Sequence, residues 1–573
     1  MQSRRQVLKG GLGLFMLGSA GKALGGRGEP PRPVARAGDP QFIATRPLDS
    51  VAFDRSPRMI DGFPVRNWFE GDDFNNGLNI PFHSAQNVFP GGEPPEPQEV
   101  VDVCVVGGGL SGLCAAYLLR AYNPVVFELH ERFGGNARGG VIEGAEFTLG
   151  SAYVITPDPG SFLDNIYRDL GLHEVVRIDD DPAPVEINGE INPDIWSGMG
   201  VPPHDRPAYE RYRRLVMHMA NVQYPDVPFD EPWMLELDQI SFKQHIEDGV
   251  GRPIPAPLVA AIQAYCYSSF NGGWEELSAA SGWNFLAAEE FGRWVFPGGN
   301  AWMADAFWQR LTTLDDTDPG HAPHLRAGRR VVDVRVRGDG FTQVTWRDRT
   351  DAAYSLLARR VVMCIPKHVS RYVVHEFEER DPAKYHAATF TTRAYAMANV
   401  ILDRPVPLEF YDIFLLNDPT TFPTNAGEAA GFWRYTDVLD GSFAPGPRAA
   451  QYPDRPNVLC LYWPLPYDSG RFDLVLHDPI KTFGSALAPQ LRATLKLVGV
   501  PESAVREIRF ARWGHAMPLA RVGFIASGAP QELIRPFEGS VYFVNQDNWA
   551  LPAVENSFFD AVNAADAIAG DLG

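Results

Sequence analysis

The chain has 573 residues, of which 45% are hydrophobic, 21% charged and 12% aromatic. That length accommodates about two to four domains, and the composition excludes a disordered, collagenous or disulfide-framework protein. A formal net charge of −20 speaks against a nucleic-acid partner, because phosphate binding needs a clustered basic face.

At the N-terminus, Ser3-Arg4-Arg5-Gln6-Val7-Leu8-Lys9 precedes a short apolar run, Gly10 to Ala20, followed by small residues. A charged n-region, a modest h-region and a cleavage zone between about Ala20 and Gly26 describe an export signal. The run is too short for a membrane span, which takes about 20 apolar residues. The ordered set resembles the twin-arginine signal, so residues 1–26 are expected to direct a folded protein to the periplasm or beyond. Residues 27–97 are rich in Pro, Gly and Arg, then in aromatics (Trp68, Phe69, Phe74, Phe82, Phe89), and read as an extended arm with a Pro-rich linker. The cysteines Cys104, Cys114, Cys266, Cys364 and Cys460 form no CxxC pair, so structural zinc and c-type haem have no basis.

Val100 to Val106 is an apolar, β-branched run of strand length. Gly107-Gly108-Gly109-Leu110-Ser111-Gly112 follows, then a helix from Leu113 to Tyr122 closed by Pro124, then a second strand, Val125 to Glu128. This is the dinucleotide βαβ fingerprint in its required context. Gly107 makes the tight turn, Gly109 lets backbone approach a pyrophosphate, and Gly112 allows helix and strand to pack closely. Glu128 stands where an acid accepts the ribose hydroxyls. The pyrophosphate would rest on the helix N-terminus, against Leu110 and Ser111, where free N–H groups favour negative charge.

The acid at the end of the second strand suits NAD and FAD alike. The next residues separate them. Glu128-Leu129-His130-Glu131-Arg132-Phe133-Gly134-Gly135-Asn136-Ala137-Arg138 resembles the E-A-x-x-R-x-G-G-R stretch of the flavin amine oxidase superfamily, with Asn136 where that family usually has Arg. Gly150-Ser151-Ala152-Tyr153-Val154 resembles its G-G-x-W-[VI] strand, and Phe296-Pro297-Gly298-Gly299 its later Gly pair. Strands Val331–Val336 and Phe341–Trp346, joined through Gly338-Asp339-Gly340, form a hairpin, on which Val331 matches the family's adenine contact. Ala358 to Pro366 is similar to the family's buried strand ending in Pro. Near the C-terminus, Asp547 matches the acid near the ribityl and phosphates, and Glu555-Asn556-Ser557 the helix start that meets the flavin ring. The resemblance implies non-covalent FAD, since no cysteine follows Cys460, held by Gly107, Gly109, Leu110, Ser111, Gly112, Glu128, Arg132, Gly134, Gly135, Asn136, Gly150, Ser151, Ala152, Tyr153, Val331, Asp547, Glu555, Asn556 and Ser557.

The order of motifs implies an α/β fold, a Rossmann-like FAD-binding domain interleaved with an α+β substrate-binding domain. FAD-binding segments are expected at 98–156, 293–370 and 505–573, and substrate-binding segments at 157–292, helical in texture, and 371–504. Clefts between domains are the usual place for a site. Arg512-Trp513-Gly514-His515 lies where the family places a Trp-headed stretch facing the flavin; His515 is the titratable candidate, and Trp513 and Trp549 are expected to wall the pocket. The family's lysine beside flavin N5 would fall at Met397-Ala398, and none is there; in the family it is associated with reaction with oxygen. Exported spermidine dehydrogenases share the leader and an R-W-x-H stretch. The expectation is an FAD-dependent enzyme oxidising a small-molecule amine by hydride transfer, more dehydrogenase than oxidase, passing electrons to a quinone, cytochrome or oxygen. The alternatives are a desaturase or isomerase of the phytoene-desaturase type acting on an apolar substrate, and a non-catalytic exported flavoprotein. No metal and no membrane span are expected.

Overall fold

A computed structural model of the chain describes residues 56–72, 93–222, 227–317, 323–447, 449–475 and 477–573; residues 1–26, expected to be an export signal, and most of the arm lie outside them. Two large sheets dominate. The first has Pro97–Val106 at its centre, flanked in parallel by Val125–Phe127 and Ala353–Met363; Leu325–Arg326 and Val541–Phe543 add two further parallel pairings. Thr342–Arg347 and Arg330–Val336 extend it as an antiparallel hairpin, with Gly340 at φ +87° in the turn. The central strand is a continuous apolar run because both its faces are covered. Val103 and Val105 pack under the helices Leu110–Leu118, Ala301–Thr317 and Val554–Leu572, while Cys104 and Val106 join Val334, Val344, Val373 and Phe377 on the other face.

The second sheet has nine strands in the order Pro57–Ile60, Phe63–Gly71, Val505–Pro518, Thr392–Leu402, Val458–Pro464, Asp437–Asp440, Asp412–Asn417, Val185–Ile187 and Glu190–Asn192. Its fourth strand, Thr392–Leu402, is buried throughout and splits by alternation. Ala394, Ala396, Ala398 and Val400 turn towards Phe483, Leu487 and Leu491 of the helix Pro479–Leu497, where small side chains let helix and sheet approach. Tyr395 and Met397 turn the other way, with Leu439, Ala511 and Trp513. Four helices, Arg206–Val222, Phe242–Val250, Ala256–Phe270 and Ala279–Leu286, build a separate core around Trp283, Tyr267 and Phe229.

Two expected boundaries are corrected here. Val505–Pro518 was assigned to the dinucleotide-binding part, yet it pairs along most of its length with Thr392–Leu402 in the second sheet; the dinucleotide sheet is rejoined only at Val541. The arm is not merely a wrapping segment, since Phe63–Gly71 is a paired strand with Phe63, Val65 and Phe69 buried in the second sheet's core. No helix of the described residues is long and apolar enough to cross a membrane.

Candidate active site

A cavity of about 750 Å3 lies between the two sheets. Its first half is built at the carboxyl ends of the parallel strands, the usual ligand position in such sheets. Gly107 stands at φ +108°, and a Cβ on Gly112 would fall 1.9 Å from the Gly107 carbonyl oxygen, so turn and helix meet backbone to backbone. Gly109 caps the helix Leu110–Leu118 without any side-chain hydrogen bond, leaving the first-turn N–H groups for an anion. Gly109 and Gly135 face each other with no side chain between them, a bare backbone cradle on the cavity wall.

Glu128 is buried on the same wall. Its Oε2 accepts the Gly108 N–H at 2.7 Å and its Oε1 the His130 N–H at 2.8 Å, while burial pushes its carboxyl above the ordinary range. Each oxygen keeps a second lone pair for a hydroxyl donor. Arg138 brings a buried guanidinium to the wall, its Nε donating to the Gly135 carbonyl at 2.8 Å and its charge lying 4.8 Å over the Trp513 ring. Asn136 has no charge to offer; Arg138, two residues on, supplies the cation. Asp547 accepts the Lys367 N–H at 2.9 Å, and Glu555 the Ile155 N–H at 2.9 Å, which ties the last helix to the strand Tyr153–Ile155. Glycine cradle, uncapped helix start, buried acid and buried Arg together fit a dinucleotide.

The second half is one face of the nine-stranded sheet. In register across five strands stand Phe414, Asp437, Tyr462, Met397 and Ala511, and Asp412, Leu439, Tyr395 and Trp513 lie on the same face. Met397 therefore occupies the middle of the wall, where the family's lysine was expected. The wall has no lysine among its lining residues. Lys384, a nearby lysine in sequence, is engaged elsewhere: its Nζ donates to the carbonyls of Glu532, Leu533 and Arg535 at 2.5–2.7 Å, and burial pulls it down to about 6.

Three carboxylates enter this half. Glu289 Oε1 accepts the Tyr153 and Tyr265 hydroxyls at 3.0 and 3.1 Å. Arg293 ion-pairs with Asp179, with Asp412 at 3.3 Å and with Glu289 at 3.7 Å. Asp437 has no ion pair among the described residues; the Thr436 hydroxyl donates to its Oδ1 at 2.5 Å. Burial pushes Asp437 up to about 7, with Thr436, Ser268 and the more remote Arg293 opposing, and holds Asp412 well above the usual carboxylate range. At the other edge His515 accepts from or donates to the Thr392 hydroxyl at 2.6 Å and stacks on His368 with ring centroids 3.7 Å apart. Burial pulls His515 down to about 4 and His368 to about 3, so both are neutral near pH 7.

Of the residues expected from sequence, Gly107, Gly109, Leu110, Ser111, Glu128, Gly134, Gly135, Asn136, Gly150, Ser151, Ala152, Tyr153, Val331, Asp547, Glu555, Ser557, Trp513 and His515 line the cavity. Four do not. Gly112 acts through packing alone. Arg132 turns to Glu70, 3.3 Å away. Asn556 is fully buried within the last helix. Trp549 is a core residue, its Nε1 donating to Asp560 at 3.2 Å and its ring packed on Phe229, and it is no part of the wall. Sequence reasoning missed Asp72, His130, Arg138, His368, Glu289, Asp412 and Asp437. His130 and Arg138 sit inside the motif spanning 128–138 and His368 lies two residues past the strand ending at Pro366; the acids have no local signature. Cys364 is the one cysteine on the wall, and burial pushes its thiol up to about 12, which leaves it unreactive.

Comparisons with known proteins agree with this geometry. Residues 105–170 match the NAD(P)-binding Rossmann-like domain. The chain is 32% identical over 157 residues to flavin-containing amine oxidase A of Bos taurus, a stretch covering 26% of this chain and 29% of that protein. It is 28% identical over 153 residues to a probable flavin-containing monoamine oxidase A of Dictyostelium discoideum, covering 33% of that protein. Among solved structures, a putrescine oxidase bound to putrescine superposes with a TM-score of 0.59 at 15% identity, over 82% of this chain and 99% of that one. Cyclohexylamine oxidase from Brevibacterium oxydans gives 0.59 at 16% identity with the same coverage. The fold is that of these amine oxidase structures.

Proposed function

We propose that this chain is an FAD-dependent oxidoreductase that oxidises a cationic amine at the carbon beside its nitrogen, working as a dehydrogenase and exported folded by the twin-arginine route. The observation that carries the substrate class is Asp437, a buried carboxylate without a cationic partner among the described residues, set in the same face as Tyr462 and Met397. A buried acid of this kind gains most from a ligand that brings its own positive charge.

When bound, FAD supplies the acceptor for the hydride. The chain's own residues do the rest. Gly107, Gly109 and the helix start at Leu110 cradle phosphate, Arg138 neutralises it, and Glu128 accepts the ribose hydroxyls. Asp437 draws in the ammonium, and its carboxylate, raised by burial, is placed to take the ammonium proton and leave the amine neutral for oxidation. Tyr395 and Tyr462, their rings 5.7 Å apart edge to face, supply aromatic surface that excludes water and suits a cation. The phytoene-desaturase type of reading needs an apolar wall, and Glu289, Asp412 and Asp437 weigh against it. Export rests on Ser3 to Lys9 and the apolar run after them.

Anaerobic titration of the yellow protein with polyamines, diamines, monoamines, amino acids and alkenes tests the reading. Amines carrying at least one ammonium should bleach the flavin. Bleaching by alkenes alone would establish the desaturase class instead, and no bleaching at all would make the protein a non-catalytic flavoprotein.

A further inference from the structure

The strand Val505–Pro518 bulges beside the cavity. Tyr395 is opposite Trp513 and Arg393 opposite Met517, so a step of two residues on one strand is matched by four on the other. A bulge takes amides out of the ladder, and a buried N–H must then find another acceptor. The Gly514 N–H finds Asp72, donating to its Oδ2 at 2.8 Å.

Asp72 arrives there by a specific route. Phe63–Gly71 runs parallel to Val505–Pro518, with Glu70 opposite Ala511 and Gly71 opposite Arg512. Gly71 stands at φ +86°, and a Cβ on it would fall 2.3 Å from the Arg512 carbonyl oxygen, an approach open only to glycine. The Asp72 N–H donates to that carbonyl at 2.8 Å, and the Arg512 Nε donates back to the Asp72 carbonyl at 3.1 Å. Held at its backbone, Asp72 presents its carboxylate both to the bulge and to the cavity wall, within the field of Arg138. On either side of Gly514 stand Trp513, whose Nε1 donates to the Leu149 carbonyl at 2.8 Å, and His515, stacked on His368.

We propose that Asp72 is a positioning residue of the active site: by capping Gly514 it holds the bulge that sets Trp513 and His515 in the cavity wall, which makes the N-terminal segment an integral part of the site. The inference rests on reading this cavity as the place of reaction. Without the cap, Gly514 has no acceptor, the bulge opens to water and His515 becomes more accessible than it is in the cavity wall. Asn at this position keeps a carbonyl oxygen for the Gly514 N–H; Ala does not.

The test is the acylation rate of His515 by diethyl pyrocarbonate, followed by peptide mass spectrometry on the purified full chain, in wild type, Asp72→Ala and Asp72→Asn. Asp72→Ala should acylate His515 about tenfold faster, while Asp72→Asn stays within about threefold of wild type, the scale of one hydrogen bond lost or kept. His324, buried and outside the cavity wall, reports global opening. An unchanged His515 rate in Asp72→Ala, equal acceleration at His515 and His324, or no rescue by Asn would overturn the proposal. Purified protein lacking FAD would instead overturn the cofactor reading, and the acylation comparison would stand on the protein without it.

Discussion

Asp437→Asn separates stability from recognition at one position. Burial holds the carboxyl well above its ordinary value near 3.8, up to about 7, beside the equally buried Asp412. Its folded value is raised, so the stabilising contribution of the protonated form is complete below about pH 3.8 and is lost as pH rises through about 7. At pH 8 the wild type carries the buried anion and its desolvation cost, which the variant lacks. Asn keeps an oxygen for the Thr436 hydroxyl and carries no charge, so the variant should melt higher than wild type at pH 8 and no differently at pH 4. Amine binding should move the opposite way. Loss of a charge-assisted contact costs about 1.5–3 kcal/mol, or roughly ten- to a hundredfold in affinity. Wild-type affinity for a non-oxidisable ammonium ligand should also rise as pH increases through about 7, and that rise should vanish in the variant. Differential scanning fluorimetry and anaerobic ligand titration across pH 4–9 measure both. A variant that binds the ammonium ligand as tightly as wild type at pH 8 would refute the assignment of Asp437 to the substrate, whatever its melting temperature does.

Glu128→Ala orphans the Gly108 and His130 amides as well as the cofactor hydroxyls, so it should weaken FAD retention on dialysis roughly ten- to a hundredfold and also lower the melting temperature of the FAD-free protein; unchanged retention would count against the fingerprint. FAD should be non-covalent, so acid precipitation should leave yellow supernatant with the mass of free FAD, whereas flavin in the pellet would contradict this. His515 is neutral when folded because burial pulls it down to about 4, so the unfolded chain binds the proton first and stability should fall as pH drops from about 6.5 towards 4. His515→Gln should flatten part of that slope in urea melts, and a slope identical to wild type would show that other groups carry it.

What the sequence disclosed and what it concealed divide along a physical line. The dinucleotide half was legible because its requirements are local. Gly107 needs positive φ, Gly112 needs the absence of a Cβ against the next turn of backbone, and Glu128 ends the following strand, so one short stretch carries the geometry. The substrate half is assembled by register. Asp437 stands in line with Tyr462 and Met397 only because three strands separated by irregular connections pair in that register, and no spacing along the chain announces it. Asp72 was hidden for the same reason, in a segment that composition alone made look like a wrap. Trp549 shows the opposite error, nearness in sequence taken for nearness in space. Between Asp547 and Trp549 the chain makes a short 3-10 turn over Gln546–Asn548, and the indole is sent to Asp560 in the core while Asp547 stays on the wall.

The electron acceptor is the point on which the wall composition bears most directly. The family's lysine beside the flavin is expected to assist reaction with oxygen, and the position expected for it holds Met397, packed in register between Tyr462 and Ala511. A lysine from elsewhere could restore the function, but Lys384 commits its Nζ to three carbonyls, and no lysine among the described residues lines the cavity. The cations that do line it, Arg138, Arg329 and Arg330, come from the dinucleotide half, and a guanidinium is no substitute for the proton-cycling lysine of a lysine–water pair. The enzyme reduced by its amine should therefore reoxidise slowly in air and quickly with an artificial quinone or phenazine acceptor. Stopped-flow mixing of the reduced protein with oxygenated buffer decides between the two: reoxidation by oxygen faster than steady-state turnover would make the protein an oxidase and would show that Met397 is no barrier to oxygen.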